Sequence, residues 1–393
     1  MYDIKSPRRT IASLALSATL ASGVLFASSS FAATRRTTRT AKPAATTTTA
    51  APTTTAAPTT KTAPVPVSEA FSIALTGDMP YDAAGVQAVP NVIKAVNESK
   101  VAFTLFDGDT MSGKGDKCND ERYGEVKSIF FDQFAKPIFY SVGDNEWVDC
   151  DRAVKGSYVP ANRLDLVRKT YFGSTTHQQF LGKSRLSDPT TGAPVEVTIN
   201  PAFPEMQMFT YRGITVIIPH IPGSANNSAV ESSKCKTYND TNVDGDAVEF
   251  ATRDAANVAW IDKGFTKAKA DKANGEIVVV QADMDWEGFA ALDKECTQAY
   301  DADKQALLTN TLKFGKPVLL QNGDQHWYQV DMPMNETAGK LVQRDKGSLV
   351  ENFTRVQTFG SGFNHWVELV VNPSDPNLWS FVPHIIKANL TAH

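Results

Sequence analysis

Four loops of the sequence each place an aspartate directly after a glycine. The aspartates are Asp78, Asp109, Asp144 and Asp324, and each loop follows a short apolar segment of the kind that forms buried strands. A turn alone would account for one such aspartate, but not for several in succession. Because ligands of open α/β sheets bind at the carboxyl ends of the strands, we expect Asp78, Asp109 and Asp144 to converge on one crevice. Clustered carboxylates repel one another, which favours a bound cation.

The elements that must position these loops alternate between strand and helix patterns. Strands are predicted at 71–75, 101–106, 137–142, 214–219 and 276–280, and helices around 89–97, with Pro90 in a first turn, and over 121–134, 160–172, 247–270 and 290–313. The C-terminal part is strand-rich, at 316–320, 327–332, 353–359, 366–371 and 378–382. Nearly continuous apolar strands separated by helices predict an α/β fold, with an antiparallel C-terminal portion.

The N-terminal segment has the features of an export signal. Lys5, Arg8 and Arg9 precede an apolar stretch over 11–26 and a small-residue site that ends at Ala32, so residues 1–32 are predicted to be a signal peptide. The stretch is short for a membrane span, and we expect no transmembrane anchor after cleavage. Residues 33–66 are rich in Thr, Ala and Pro and are predicted to be a disordered linker before a domain over 67–393. We therefore expect a secreted, periplasmic or cell-surface protein.

The four cysteines fit an oxidising compartment. They allow three disulfide connectivities, of which we favour Cys118–Cys150 and Cys235–Cys296 because the first two lie just beyond candidate site loops. A zinc site built from them is disfavoured, because the sequence contains no C-x-x-C pair.

The order of the acidic loops resembles the motif order of the calcineurin-like metallophosphoesterase superfamily. The loops read GDMPY, GD, GDNEW and GDQH, beginning at Gly77, Gly108, Gly143 and Gly323. They look most like an exported subgroup with GD-x-P-Y, GDNEW and GD-x-H in these places, and the likeness covers about residues 71–385. The resemblance implies an α/β sandwich in which two mixed sheets face each other, with helices outside.

The same resemblance implies a ligand set for two neighbouring metal ions. Asp78 and His326 correspond to ligands of the first metal, and Asp109 to the residue that bridges both. Asp144 and Asp324 stand where the family has an asparagine and a histidine on the second metal. In this superfamily the metals polarise the phosphoryl oxygens and activate a water that attacks phosphorus.

Several family histidines are replaced in this sequence. Pro80 stands at one ligand position, and Asn145 stands where a family histidine acts near the leaving group, so we assign Asn145 to catalysis. Another family histidine falls in the segment 281–283, where Gln281 or Asp283 would substitute and we favour Asp283.

The retained donors are rich in carboxylate and poor in imidazole. They are Asp78, Asp109, Asp144, Asp283, Asp324 and His326. Hard oxygen donors prefer Mg²⁺, Mn²⁺ or Ca²⁺ to zinc or iron. We therefore predict one or two divalent ions, one of them bound more firmly.

Other residues near these loops have two interpretations. His220 follows an apolar strand, and it could act in catalysis by contacting a phosphate or serve as a structural histidine. Trp147, Trp286 and Trp327 lie beside site loops, where they could form an aromatic rim or pack in the core.

The sequence thus predicts a metal-dependent phosphoesterase that uses metal-activated water on a phosphomonoester or phosphodiester outside the cytoplasm. The alternative is a catalytically weakened surface binding protein that keeps the fold and at most one metal ion. The partner is expected to be a small phosphorylated substrate, since a net charge of −4 without a basic run argues against nucleic acid. The sequence contains neither a G-x-S-x-G nucleophile motif nor a phosphate-binding GxxxxGK[ST] loop.

Overall fold

The computed structural model describes residues 69–173, 180–229, 245–286 and 298–390, all of which belong to one compact unit, Pro64–His393. Its strands in chain order are β1 (Phe71–Thr76), β2 (Thr104–Phe106), β3 (Ile138–Tyr140), β4 (Thr198–Ile199), β5 (Gln207–Tyr211), β6 (Ile214–Ile218), β7 (Gly275–Val279), β8 (Val318–Asn322), β9 (Gln329–Asp331), β10 (Asn335–Thr337), β11 (Lys340–Val342), β12 (Ser348–Leu349), β13 (Phe353–Gln357), β14 (Trp366–Val371) and β15 (Trp379–His384). Its helices are α1 (Ala83–Glu98), α2 (Asp120–Ile129), α3 (Pro160–Tyr171), the single turn α4 (Gly223–Asn226), α5 (Ala247–Ala270) and α6 (Asp301–Phe314).

These strands form two large mixed sheets and one small antiparallel sheet. The first large sheet has the order β15-β14-β1-β2-β3, in which β1, β2 and β3 are parallel. The second has the order β4-β5-β6-β7-β8-β13-β9, with β6, β7, β8 and β13 parallel. The small sheet has the order β11-β10-β12. The mixed α/β class predicted from the sequence is confirmed.

Alternate residues of the strands point into different apolar layers. In β1, Ile73 and Leu75 belong to the same cluster as Phe209 and Val216 of the second sheet, so the two sheets share one core. Ala74, between them, faces a second cluster that includes side chains of α1, α2 and α3. The second sheet repeats the pattern, because alternate residues of β6, β7 and β8 pack with α5 and α6. Both faces of each central strand are therefore buried, which explains the nearly continuous apolar runs.

Helix α1 begins six residues before the predicted start at residue 89. The side chain of Asp82 accepts hydrogen bonds from the backbone N–H groups of Ala84 and Gly85, each at 3.0 Å, and so caps the helix. Pro90 therefore lies inside the helix and not in its first turn. The prediction was wrong here because an N-cap residue decides where a helix begins more strongly than a proline inside it.

Other boundaries differ by a few residues. Helix α2 ends at Ile129 and is followed by a 3₁₀ turn over Phe131–Gln133, where one long helix was expected. Strand β5 and the small sheet over residues 335–349 were not predicted, and part of the predicted helix over 290–313 lies outside the described residues. Trp147 and Trp286 are buried, so of the three tryptophans proposed for an aromatic rim only Trp327 is exposed.

Phe103 joins the two large sheets and provides a test of their packing. Its fully buried ring makes edge contacts with Phe139 of the first sheet and with Phe209 and Tyr211 of the second, at centroid distances of 5.5 to 5.7 Å. We expect Phe103→Ala to lower the free energy of unfolding by about 3–5 kcal/mol, because it leaves a cavity between the sheets. Urea denaturation measures this loss. Phe363→Ala, at a half-exposed ring, is the control, and an equal loss in both variants would contradict the packing assigned to Phe103.

Candidate metal centre and its cavity

The predicted acidic loops meet at the carboxyl ends of the parallel strands of both large sheets. Asp78, Asp109 and Asp144 follow β1, β2 and β3, and Asp324 follows β8. The backbone N–H of Asp324 donates to both carboxylate oxygens of Asp78, at 3.0 and 3.2 Å, which joins the loops of the two sheets. Glycine precedes each aspartate for a steric reason. A Cβ at Gly143 would overlap the carboxylate of Asp109, and one at Gly323 would overlap that of Asp78.

Three of the six predicted metal ligands form a compact group. Asp109, Asp144 and Asp324 each offer a carboxylate oxygen, and these three oxygens lie within 4.8 Å of one another. Asp144 is 5% exposed, and its Oδ1 is buried without a hydrogen-bond partner among the described residues. Burying a carboxylate oxygen without a partner is costly. A divalent cation would supply the missing interaction.

Burial and the charges of neighbouring carboxylates raise the pKa values of Asp109 and Asp324. The pKa of Asp109 is raised well above its usual range by burial and then by the charges of Asp144 and Glu146. The pKa of Asp324 is also raised by burial, and then by the charges of Asp144 and Asp283. Without a cation, this cluster therefore holds its negative charge at a considerable free-energy cost.

Hydrogen-bond donors surround one oxygen of Asp109. Its Oδ2 accepts from the Tyr81 hydroxyl at 2.9 Å, from Asn145 Nδ2 at 2.8 Å and from Gln281 Nε2 at 3.1 Å. Asn145 Nδ2 also donates to the Tyr81 hydroxyl at 2.9 Å. The structure thus brings the predicted Asn145 into direct contact with the acidic group.

Asp78, Asp283 and His326 lie beside the three-carboxylate group and not within it. His326 Nε2 is 3.5 Å from Asp78 Oδ1. Burial lowers the pKa of His326, but the hydrogen bond and charge of Asp78 outweigh this effect and raise it overall. The backbone N–H of Asp283 donates to Asp324 Oδ2 at 3.3 Å, while the Asp283 carboxylate lies 3.4 Å from the Arg355 guanidinium.

His220 lies outside the cavity lining, in a buried ion-pair network. Its Nδ1 donates to Glu205 Oε1 at 2.9 Å, and Arg168 holds the same carboxylate through two hydrogen bonds of 2.6 and 2.9 Å. The ring also packs against Trp147, with centroids 5.4 Å apart. Burial lowers the pKa of His220, so its imidazole is neutral near pH 7. The residue is placed to support the loops of the site from within the core.

A cavity of about 400 Å³ opens beside the acidic group. Asp109, Asp144, Asp324 and His326 line one part of it, and Lys114, Arg152 and Ser224 line another. In this cavity, carboxylates that could hold a cation lie close to cationic side chains that could bind an anion. This combination suits an anionic ligand that bridges a metal ion and a basic wall.

Ser224 connects the two parts of this cavity. Its Oγ lies 2.5 Å from Asp144 Oδ2, 2.7 Å from Asp149 Oδ1 and 3.4 Å from Arg152 Nη2. Burial and then the charge of Asp144 raise the pKa of Asp149 to about 8, although Arg152 lies 2.6 Å away. Ser224 belongs to α4, where the φ angles of residues 224–227 are all between 46° and 56°. The backbone of a residue other than glycine is strained in this left-handed region, and such strain is typical of functional sites.

Two features brace the loops that carry these residues. The predicted disulfide Cys118–Cys150 is confirmed and joins the segment after Asp109 to the segment after Asp144. Cys235 and Cys296 lie outside the described residues. Glu146 accepts hydrogen bonds from the backbone N–H groups of Thr110 and Gly143, which ties the same two loops together. Glu146, the glutamate of the GDNEW motif, therefore has a structural role.

Sequence reasoning missed several residues of the cavity. Tyr81, Asp149, Arg152 and Ser224 were given no role, and Gln281 was ranked below Asp283 although it contacts Asp109. Tyr81 and Asp149 lie within a few residues of predicted ligands, so proximity to a motif was the available signal. Arg152 and Ser224 had no such signal, because the backbone of α4 and the Cys150 loop bring them in.

The Glu205–His220 pair generates a pH-dependent prediction. Burial alone would raise the pKa of Glu205, but hydrogen bonds from His220 and Arg168 outweigh it and lower the pKa from 4.5 to about 2. This stabilisation is present above pH 4.5 and is lost as the pH falls toward 2, because the unfolded chain then binds the proton more readily. We expect Glu205→Gln to cost about 3 kcal/mol at pH 7, and the difference from wild type to shrink over that window.

Urea denaturation at several pH values between 2 and 7 measures this difference. Glu98→Gln, at an exposed i,i+4 pair with Lys94, is the control and should change the unfolding free energy little. A difference between wild type and Glu205→Gln that stays constant with pH would contradict the assignment.

Comparisons with known proteins assign no family to this chain. No family model matches the sequence, and no curated protein matches it. A structural alignment with GAP50, the anchor in the inner membrane complex of Plasmodium, covers 81% of this chain and 90% of that chain, with 11% sequence identity and a TM-score of 0.38. A similarity of this size carries no conclusion about fold or function. In the described part of the chain, no helix has the length and apolar character needed to cross a membrane.

Proposed function

We propose that this protein is a divalent-metal-dependent phosphoesterase of the calcineurin-like type, which hydrolyses a small phosphomonoester or phosphodiester outside the cytoplasm. The observation that supports this most is the group of Asp109, Asp144 and Asp324 in a cavity that also presents Arg152 and Lys114. Carboxylates for a cation and basic groups for an anion are the two requirements of metal-assisted phosphoryl chemistry.

The donors of the site fit a hard divalent cation. Asp109, Asp144 and Asp324 would hold it through oxygen atoms, which favours Mg²⁺, Mn²⁺ or Ca²⁺ over zinc or iron. The buried Asp144 Oδ1, which has no hydrogen-bond partner among the residues described, supports the same assignment. When bound, such an ion supplies Lewis-acid activation of the phosphoryl group and of a water nucleophile.

The remaining cavity residues orient the substrate and the ligands. Arg152 and Lys114 are placed to bind the anionic phosphoryl oxygens, and the hydroxyl of Ser224 lies between Arg152 and Asp144. Asn145 donates to Asp109 and to Tyr81, so its amide fixes the direction of the Asp109 carboxylate. An amide does not titrate, which means that Asn145 would position groups and would not protonate the leaving group.

The location outside the cytoplasm rests on two observations. The sequence begins with a segment that has the features of an export signal, and Cys118 and Cys150 form a disulfide. Disulfides persist in secreted, periplasmic and cell-surface proteins and are rare in the cytosol.

A non-catalytic surface binding protein is the second candidate function. The observation that favours it is Asn145, because an amide replaces the group that would protonate the leaving group, and His220 does not line the cavity. In this case the same cavity would bind a phosphorylated ligand through a cation without turnover.

The main test measures hydrolysis of p-nitrophenyl phosphate and bis-p-nitrophenyl phosphate with added Mg²⁺, Mn²⁺ or Ca²⁺. We expect metal-dependent turnover in the wild type and a loss of at least about 100-fold in Asp144→Asn, because one ligand charge is removed. Asp345→Asn, at an exposed loop carboxylate, is the control and should retain wild-type turnover. Metal-dependent ligand binding without turnover would establish the second candidate and exclude the first.

Lys114 generates a separate prediction about the substrate. Its exposed ammonium lines the cavity, and an exposed charge contributes about 1 kcal/mol to the binding of an anion. We expect Lys114→Met to raise KM about fivefold for the dianionic monoester and less for the monoanionic diester. Lys340→Met in β11 is the matched control. Equal KM changes for both substrates would show that Lys114 does not bind the phosphoryl group.

A further inference from the structure

Tyr81 occupies the space between two of the predicted metal ligands. Its hydroxyl lies 2.9 Å from Asp109 Oδ2 and 3.5 Å from Asp78 Oδ1, and its side chain is more than nine-tenths buried. We propose that the Tyr81 hydroxyl takes the place of one cation, so that the site binds a single divalent ion through Asp109, Asp144 and Asp324. This inference rests on the metal dependence of the proposed function and specifies how many ions the site takes.

The hydrogen bonds of Asp109 leave one of its oxygens unsuited to a metal. Oδ2 accepts from Tyr81, Asn145 and Gln281, all within 3.1 Å, whereas Oδ1 accepts, from the residues that the structure describes, only the backbone N–H of Asn145 at 3.2 Å. A carboxylate that bridges two cations must offer an oxygen to each. Of these donors, the Tyr81 hydroxyl also faces Asp78 Oδ1, so it occupies the space between the two carboxylates and directs Asp109 toward a single ion on its other side.

Asp78 is committed to contacts that do not involve a metal. Both of its oxygens accept the backbone N–H of Asp324, and His326 Nε2 lies 3.5 Å from Oδ1. The Tyr81 and His326 rings meet edge to face with centroids 5.2 Å apart. Tyr81 thus fills the space that Asp78, Asp109 and His326 would otherwise offer to a cation.

The opposite side of Asp109 remains available for one ion. Asp144 has a buried Oδ1 without a hydrogen-bond partner in the described part of the chain, and both Asp144 and Asp324 line the cavity. This unsatisfied oxygen is the observation, independent of the clustering itself, that indicates a ligand. Because Tyr81 fills the space beside them, Asp78 and His326 have positioning roles. The carboxylates of Asp109, Asp144 and Asp324 would hold the cation.

The test titrates Mn²⁺ into the purified full chain in the absence of substrate. Calorimetry gives the number of ions per chain, and electron paramagnetic resonance distinguishes isolated from exchange-coupled Mn²⁺. We expect one uncoupled ion in the wild type and in the control Tyr328→Phe. Tyr81→Phe removes only the hydroxyl, and we expect it to bind a second, coupled ion between Asp78 and Asp109.

A second pair of variants tests the ligand assignment without altering Tyr81. We expect Asp144→Asn to weaken Mn²⁺ binding by more than about 100-fold and Asp78→Asn to weaken it by less than about threefold. Two ions in the wild type, one ion in a folded Tyr81→Phe variant, or an equal loss in Asp78→Asn and Asp144→Asn would each overturn the inference.

Activity separates this inference from the proposed function. Two bound ions with turnover would overturn the role of Tyr81 and leave the phosphoesterase intact. One bound ion without turnover would support the role of Tyr81 and contradict the proposal that the protein is a phosphoesterase. A wild-type protein that binds no ion would overturn the inference. If that protein also showed turnover without added metal, the metal dependence of the proposed function would be contradicted as well.

Discussion

Repulsion among buried carboxylates is the constraint on which the rest of this site depends. Asp78, Asp109, Asp144 and Asp324 follow strands of two different sheets and lie close to one another, and burial strengthens the charge–charge interactions of Asp109 and Asp324. The protein offsets the repulsion with fixed donors, among them Tyr81, Asn145 and the backbone of Asp324. These donors satisfy Asp78 and Asp109, whereas Asp144 Oδ1 has no hydrogen-bond partner within the described ranges. The distribution of hydrogen bonds therefore indicates where a bound cation would be most stabilising.

Backbone geometry determines how precisely these carboxylates and hydrogen-bond donors are placed. The central strands are buried on both faces, so they are held by packing on both sides and their carboxyl ends are fixed in space. Glycines before the aspartates let carboxylates from different loops approach closely. Glu146 and the disulfide Cys118–Cys150 then fix the two loops to each other. A rigid scaffold of this kind can keep like charges together that a mobile loop would separate.

The sequence predicted the parts of the structure that follow from periodicity and from strand ends. The α/β class, the helix Ala247–Ala270 and the placement of Asp78, Asp109 and Asp144 at neighbouring strand ends follow from apolar patterns, which local physics controls. The start of α1 was misplaced because capping by Asp82 outweighs an internal proline. Arg152 and Ser224 could not be found, since a left-handed turn and a loop from another part of the chain place them. Tertiary contacts of that kind leave no periodic signal.

The Cys118–Cys150 disulfide makes the covalent structure around the cleft depend on whether the chain has been oxidised. The two cationic residues of the cavity lining, Lys114 and Arg152, lie on the two segments that this bond joins. A chain that folds in a reducing compartment would contain the same acidic residues but would lack the disulfide between these segments. This covalent link thus forms only after the chain meets an oxidant. Protein made in a reducing host would have to be oxidised before its cleft carries the same link.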